Sequence, residues 1–144
     1  MRTKLFFEPV LKSEVRFVTD CSGAELRDWA KKHPKYLACL DKLPVDGLDG
    51  CTSNLEMVTD VEPDGGLTTH HFLWIRVKNQ FYSLLHETVH LTGQVFHERG
   101  IPILKENDEM FAYYQEYWFK ILWRFMNKKH PKGGEVENSK GGDK

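Results

Sequence analysis

The chain has 144 residues, of which 40% are hydrophobic, and its formal net charge is -1. This length suits one globular domain and is too short for two ordinary ones. The near-zero net charge gives no overall attraction to nucleic acid or to an acidic membrane surface, so neither is expected as a partner.

The cysteines and the N-terminal residues indicate the cellular location that we expect for the protein. Cys21, Cys39 and Cys51 are widely spaced and form no Cys-x-x-Cys pair, which is typical of reduced thiols rather than of a structural zinc site or a disulfide framework. The first residues contain no apolar run long enough for a signal peptide or a transmembrane helix. We therefore expect a cytoplasmic protein.

The first part of the chain predicts two short strands followed by two short helices. The strands are expected at Lys4 to Phe7 and at Glu14 to Thr19. Ser22 followed by Glu25 has the spacing of a capping box, so a helix should begin there and end before Pro34. A second short helix is expected from Tyr36 to Leu43.

The middle of the chain predicts a loop and then a β-hairpin. Val45 to Ser53 is rich in Gly and Asp, which is typical of an irregular surface loop. Beyond it, Leu55 to Glu62 and Thr68 to Val77 flank the turn sequence Pro63-Asp64-Gly65-Gly66. Two extended segments around such a turn predict a hairpin.

Two long helices are expected in the last third. The first runs from Asn79 as N-cap to Arg99, where Gly100 provides the C-cap. The second runs from Asn107 to about Asn127. The residues that follow are almost without apolar side chains and should be disordered. We therefore predict one domain over residues 1–127 and a disordered polar tail over residues 128–144.

The first long helix carries the sequence His-Glu-Thr-Val-His at residues 86–90. His86 and His90 stand four apart, so their imidazoles project from one helix face and can both reach one metal ion. Glu87 lies one step round the helix, where its carboxylate can take a proton from a metal-bound water as a general base. This spacing predicts a catalytic zinc (Zn2+) site.

A catalytic zinc site needs a third protein ligand and one open position. Glu109 begins the next helix, and a helical hairpin of this length can fold back antiparallel and bring that carboxylate beside the histidine pair. Ala112, one turn later, is small enough to let the helices approach closely. Glu109 is the expected third ligand, and Glu106, Asp108 and Glu116 are the alternatives.

His-Glu-x-x-His followed by Glu-x-x-Ala at the start of the next helix resembles the gluzincin branch of the zincin metallopeptidases. The resemblance covers roughly Thr68 to Arg124. The compact layout of this region is similar to that of minimal or phage-encoded zincins. It implies that Glu109 ligates zinc, that Glu87 is the general base, and that an edge strand lines the substrate cleft, for which Phe72 to Val77 is suitably placed.

The fold expected from these elements is an α+β zincin-like domain. In it, a small mixed or antiparallel sheet packs on the motif helix and on the second long helix.

A metzincin site is the competing possibility within the zincins, since there a glycine and a third histidine follow the motif. Gly93 fits that pattern, but Phe96 occupies the position of the histidine. On a continuing helix, His97 would lie roughly 10 Å along the axis from His90, too far to bind the same ion. The sequence therefore favours a glutamate as third ligand.

Four further side chains are candidates for stabilising the charge that develops on a peptide carbonyl. His70 and His71 lie on the strand before the motif helix, and because neighbours on a strand face opposite ways, only one can point into the cleft. Tyr113 and Tyr114 could donate the same hydrogen bond, and Tyr113 lies nearer the Glu109 face. A surface position is the alternative for the histidines, and packing is the alternative for the tyrosines.

Glu116 could orient a ligating imidazole from nearly the same side of the helix as Glu109. An exposed ion pair with Lys120, four residues later, is the preferred interpretation.

These features together predict a zinc-dependent metallopeptidase that acts on a protein or peptide substrate with narrow specificity. The alternatives are a structural zinc domain and a non-catalytic zincin-fold interaction protein. The second long helix is apolar over most of its circumference, so it should be central to the core or should contact a second copy or another protein. Its aromatic residues are Phe111, Tyr113, Tyr114, Tyr117, Trp118, Phe119, Trp123 and Phe125.

Overall fold

The computed structural model describes residues 1–40, 50–54, 60–61, 67–76 and 80–128. The elements within these ranges are β1 (Arg2–Glu8), β2 (Ser13–Thr19), α1 (Gly23–Lys31), α2 (Pro34–Leu40), β3 (Gly50–Asn54), β4 (Asp60–Val61), β5 (Leu67–Ile75), α3 (Phe81–Glu98), a 3₁₀ turn (Lys105–Asn107) and α4 (Asp108–Asn127). None of the helices in these ranges is long and apolar enough to cross a membrane.

The five strands form one mixed sheet in the order β1-β2-β5-β3, with β4 also paired to β5. β1 and β2 are antiparallel, β2 and β5 are parallel, and β3 and β4 are antiparallel to β5. The predicted α+β class with a small mixed sheet is therefore confirmed. The expectation that Phe72 onward forms an edge strand is wrong, because β5 is hydrogen-bonded to β2 on one side and to β3 on the other.

β3 itself falls where the sequence predicted a surface loop. Gly50 to Ser53 belongs to this strand and pairs with Phe72 to Ile75, while residues 45–49 lie outside the described ranges. Small polar residues and glycine have low strand propensity, but a partner strand that offers its backbone groups overrides that preference. The predicted hairpin is confirmed where β4 pairs with the start of β5, and its turn at residues 63–66 lies outside the described ranges.

The predicted capping box of α1 is present. The Ser22 side chain accepts a hydrogen bond from the Glu25 backbone N–H at 3.3 Å, and the Glu25 carboxylate accepts one from the Ser22 N–H at 2.7 Å. α2 begins at Pro34, earlier than expected, because proline suits the first turn of a helix, where its missing N–H costs nothing. Its predicted end at Leu43 lies outside the described residues.

The sheet separates two hydrophobic cores, because alternate side chains of a strand point to opposite faces. The α1–α2 core contains, among others, Val18, Leu26, Tyr36, Phe72 and Trp74. The α3–α4 core contains, among others, Phe17, Leu73, Ile75, Leu84, Leu91, Trp118 and Leu122. Helices therefore cover both faces of the sheet, a layer more than the sequence predicted.

α3 and α4 pack as the expected antiparallel hairpin. The Phe81 ring at the start of α3 lies 5.1 Å from the ring of Phe119 near the end of α4, centroid to centroid. At the other end, the rings of Phe96 and Phe111 are 5.5 Å apart and edge-on. Each helix thus ends beside the beginning of the other.

Arg2 joins the first strand to the end of the last helix. Its guanidinium donates hydrogen bonds to the backbone oxygens of Phe125 and Met126, at 2.8 and 2.6 Å, and forms an ion pair with Asp20 at 2.5 Å. These oxygens belong to the last turn of α4, where the helix provides no N–H groups for them and its dipole favours a cation.

We expect Arg2→Ala to lower the free energy of unfolding by about 1–3 kcal/mol, because several hydrogen bonds of a charged, largely buried group are lost together. Chemical denaturation measures the change. Lys120→Ala is the control, since it removes an exposed ion pair with Glu116 and should change stability by less than about 0.5 kcal/mol. Equal effects of the two substitutions would contradict a capping role for Arg2.

Candidate metal centre

The motif lies in the first half of α3, whose start and end follow local sequence signals. The helix begins at Phe81 with Gln80 as N-cap, and the predicted cap Asn79 lies outside the described residues. Beyond its end, Gly100 has a φ of +63°, as expected for a C-cap glycine. One face of α3 is buried against the sheet and α4, which leaves the opposite face open to solvent.

His86 and His90 are both exposed on that open face, and their rings meet. The two Nε2 atoms are 3.0 Å apart. In a tetrahedral zinc site with bonds of about 2.0–2.1 Å, two ligand nitrogens stand roughly 3.3 Å from each other. The pair therefore fits two corners of such a site with little adjustment. Without an ion, one imidazole can donate a hydrogen bond to the other.

Glu87 has a different environment from the two histidines. It is 7% exposed, on the side of α3 that faces β3. A Cβ atom placed on Gly50, the first residue of β3, would lie only 3.2 Å from the Glu87 Cγ atom. The carboxylate-bearing side chain thus lies between the motif helix and β3, which is the last strand in the order of the described sheet.

Glu109 lies elsewhere. It is exposed in the first turn of α4, and Phe111 in the same turn contacts Phe96, which is roughly 9 Å along the α3 axis from His90. Within the described ranges, no group of three or more His, Cys, Asp or Glu side chains is placed to hold a metal ion. The structure thus brings His86 and His90 together but does not bring Glu109 to them.

The alternative ligands likewise form no metal-holding group with the pair in the described ranges. Glu106 and Asp108 are exposed near the same end of α4 as Glu109, and Glu116 forms an exposed ion pair with Lys120, Nζ to Oε1 2.5 Å. In the metzincin register, the Phe96 side chain is fully buried against α4, so no ligand is available at that position.

His70 and His71 face opposite sides of the sheet, as expected for strand neighbours. His70 lies on the α1–α2 face, with its Nδ1 2.9 Å from the Glu14 Oε1. His71 lies on the α3 face, where its Nε2 is 3.3 Å from the Glu98 Oε2 and 3.2 Å from the Thr69 Oγ1. Only His71 therefore shares a layer with the motif helix, and it contacts the end of α3 rather than the histidine pair.

Tyr113 is 67% exposed on α4, in the half of that helix that packs beside the end of α3. Its neighbour Tyr114 is the tyrosine with a defined structural role, since its hydroxyl hydrogen-bonds the Glu8 carboxylate at 3.1 Å and the Ser13 hydroxyl at 3.2 Å. Burial raises the pKa of Tyr114, so the hydroxyl keeps its proton. This contact attaches α4 to the β1–β2 hairpin.

Gly50 is the residue near the candidate site that the sequence analysis missed. A glycine within a strand often marks the close approach of another group. Here the preceding Asp49 made the pair resemble a turn, and β3 was not recognised. The signal was present but ambiguous, since Asp-Gly is typical of turns as well.

Burial lowers the pKa of His71 from 6.5 to about 4, and positive charge on His70 and Arg99 acts in the same direction. The nearby polar side chain of Gln94 acts in the opposite direction. The Glu98 carboxylate beside Nε2 also favours the charged ring, but burial outweighs both. His71 is therefore neutral in the folded protein at neutral pH.

Because the folded protein binds this proton more weakly than the unfolded chain, the stabilising effect of a neutral His71 is complete above pH 6.5 and is lost as the pH falls toward 4. We expect the free energy of unfolding to fall by about 3 kcal/mol over that range through this residue alone. The free energy of unfolding, measured by chemical denaturation at several pH values, should therefore fall more steeply between pH 6.5 and 4 for the unchanged protein than for His71→Gln. Exposed His97→Gln is the control, and parallel curves for His71→Gln would contradict the assignment.

Comparison of the chain with protein-family models, with curated proteins and with solved structures finds no match. The zincin resemblance therefore depends on the motif residues and not on an overall likeness to a known protein.

Proposed function

We propose that this protein is a zinc-dependent metallopeptidase. The observation that carries the proposal is the arrangement within the motif: two exposed imidazole nitrogens 3.0 Å apart, with the intervening Glu87 turned toward an edge strand. Two histidines on one helix face make half of a tetrahedral site, and a carboxylate beside them is the general base that metal-assisted hydrolysis requires.

His86 and His90 would hold the ion, with Glu109 as the third ligand that the resemblance implies. A zinc ion there would polarise a peptide carbonyl and lower the pKa of a bound water toward neutrality. Glu87 would hold a proton at its carboxylate, accepting it from the attacking water and delivering it to the leaving amine. The substrate would lie extended along β3, whose outer side is not paired with any strand in the described part of the sheet.

The third ligand requires a movement. Because Glu109 lies beside the end of α3, it can join the two histidines only if the α3–α4 connection or the first turn of α4 shifts toward His90. Metal binding often supplies the free energy for such ordering. For the oxyanion, His71 and Tyr113 are the candidates, with His71 favoured over His70 because it lies on the α3 face. Both lie beside the end of α3, so either would act only after a movement toward the histidine pair.

Glu87→Gln tests the catalytic role. Zinc should still bind in a one-to-one ratio, while hydrolysis should fall by at least about 100-fold, because the variant cannot accept a proton. His90→Ala should lose both zinc and activity. His97→Ala, on an exposed position of the same helix, is the matched control and should keep both.

Because narrow specificity is expected, activity is best measured as the appearance of new protein N-termini in a cell lysate treated with the zinc-loaded protein or with Glu87→Gln. Peptide bonds cut by the first and spared by the second identify the substrate. Identical sets of N-termini would show that the protein is not a peptidase of this type.

Glu109→Ala tests the third ligand separately. We expect the zinc dissociation constant, measured by competition with a chelator, to rise by at least about tenfold, since even residues that only orient a ligand have effects of that size. Glu116→Ala should leave it unchanged, because Glu116 pairs with Lys120. The reverse result would assign the third ligand to Glu116.

The second candidate function is that of a non-catalytic interaction protein, which one observation favours. Tyr82 is 83% exposed at the start of α3, and Phe81 next to it is part of a ring cluster with Phe119 and Trp123 of α4. Exposed aromatic residues are common in protein interfaces, so a homodimer or a protein partner would fit here. In that case the function would survive Glu87→Gln. For either function we propose a cytoplasmic location.

A further inference from the structure

Gly50 begins β3 at a point where the strand crosses close to α3. A Cβ atom at this position would lie 2.9 Å from the backbone oxygen of Trp74 and 2.9 Å from the Ile75 Cδ1. A backbone oxygen in the middle of a sheet cannot move aside as the end of a flexible side chain can. Any side chain at position 50 therefore requires β3 to shift relative to β5 and α3.

A Cβ atom on Gly50 would also lie 3.2 Å from the Glu87 Cγ atom, so the backbone of Gly50 packs closely against the Glu87 side chain. Glu87 is 7% exposed, whereas His86 and His90 on either side of it in the motif are exposed. The strand thus contacts one member of the motif and leaves the two histidines free to orient toward solvent.

We propose that Gly50 is a positioning residue for Glu87. Its bare backbone lets β3 approach α3 closely enough to restrict the Glu87 side chain to one rotamer. This inference rests on the proposed function, in which Glu87 is the general base and β3 holds the substrate. The strand that pairs with the substrate would then also set the position of the group that accepts the proton.

Such control matters because proton transfer depends on distance. A general base must stand within about 2.6–3.2 Å of the atom whose proton it takes. A displacement of about 1 Å can reduce the rate by roughly 100-fold. A strand that is rigidly paired to the sheet provides more precise support for a flexible glutamate than a loop does.

Gly50→Ala tests the inference, with Val18→Ala as the control. Val18 is fully buried in the α1–α2 core, so its truncation destabilises the protein on the face of the sheet away from Glu87. The first measurement is the Glu87 χ1 rotamer, obtained by NMR from three-bond couplings. We expect one rotamer in the unchanged protein and in Val18→Ala, and averaging over several in Gly50→Ala.

The second measurement separates positioning from binding. For a substrate whose cleavage depends on Glu87, Gly50→Ala should lower kcat by at least about tenfold and leave KM and the zinc dissociation constant within about threefold. Val18→Ala should leave all three within that range. Loss of kcat in Val18→Ala equal to that in Gly50→Ala would attribute the effect to general destabilisation and overturn the inference.

The third measurement is made on the unchanged protein and does not depend on the folding of any variant. We expect a nuclear Overhauser effect between the Gly50 Hα and Glu87 Hγ protons. Its absence, or a single unchanged Glu87 rotamer in Gly50→Ala, would overturn the positioning role. Averaging of the Glu87 rotamer in Gly50→Ala would support the positioning contact on its own. If Glu87→Gln then produced the same set of protein N-termini as the unchanged protein, only the proposed peptidase function would be refuted. The two failures are therefore distinguishable.

Discussion

The structure depends on β5 being buried on both faces and paired on both sides. Phe72 and Trp74 are fully buried in one core, Leu73 and Ile75 are fully buried in the other, and the backbone bonds β2 and β3. A strand with no exposed face or edge has little freedom to shift, since a slip of one residue would exchange the two cores. The motif helix α3 follows β5 closely in the chain and packs on Leu73 and Ile75 of that strand, so the position of α3 depends on β5.

The candidate site combines exposure and burial within one short motif. The two histidines can contact solvent and a metal ion at little cost, because no packed side chain must move to free them. Glu87 is held against β3, where substrate would bind in the proposed peptidase. A general base gains from such restraint, because its distance to the reacting water decides how well it accepts a proton. In the proposed peptidase, exposed ligands and a restrained base are separate requirements, and neighbouring residues of the motif would meet them.

Much of the fold could be predicted wherever the signal is local. The Ser22 capping box, the C-cap at Gly100 and both long helices depend on residues close in sequence, and they were placed to within a few residues. β3 was missed because its strand character comes from β5, about 20 residues later in the chain. The central place of β5 was missed for the same reason, since hydrogen bonding on both sides depends on which strands pair with it.

For the site, the sequence alone determined that His86 and His90 share a helix face and that Glu87 lies one step away, because helical periodicity sets those relations. Tertiary structure decided the rest. It placed Gly50 against Glu87, His71 on the α3 face and His70 on the other, and Glu109 beside the end of α3. These placements depend on how helices and strands pack across the sheet, and that packing is a balance of contacts over the whole domain that no local spacing encodes.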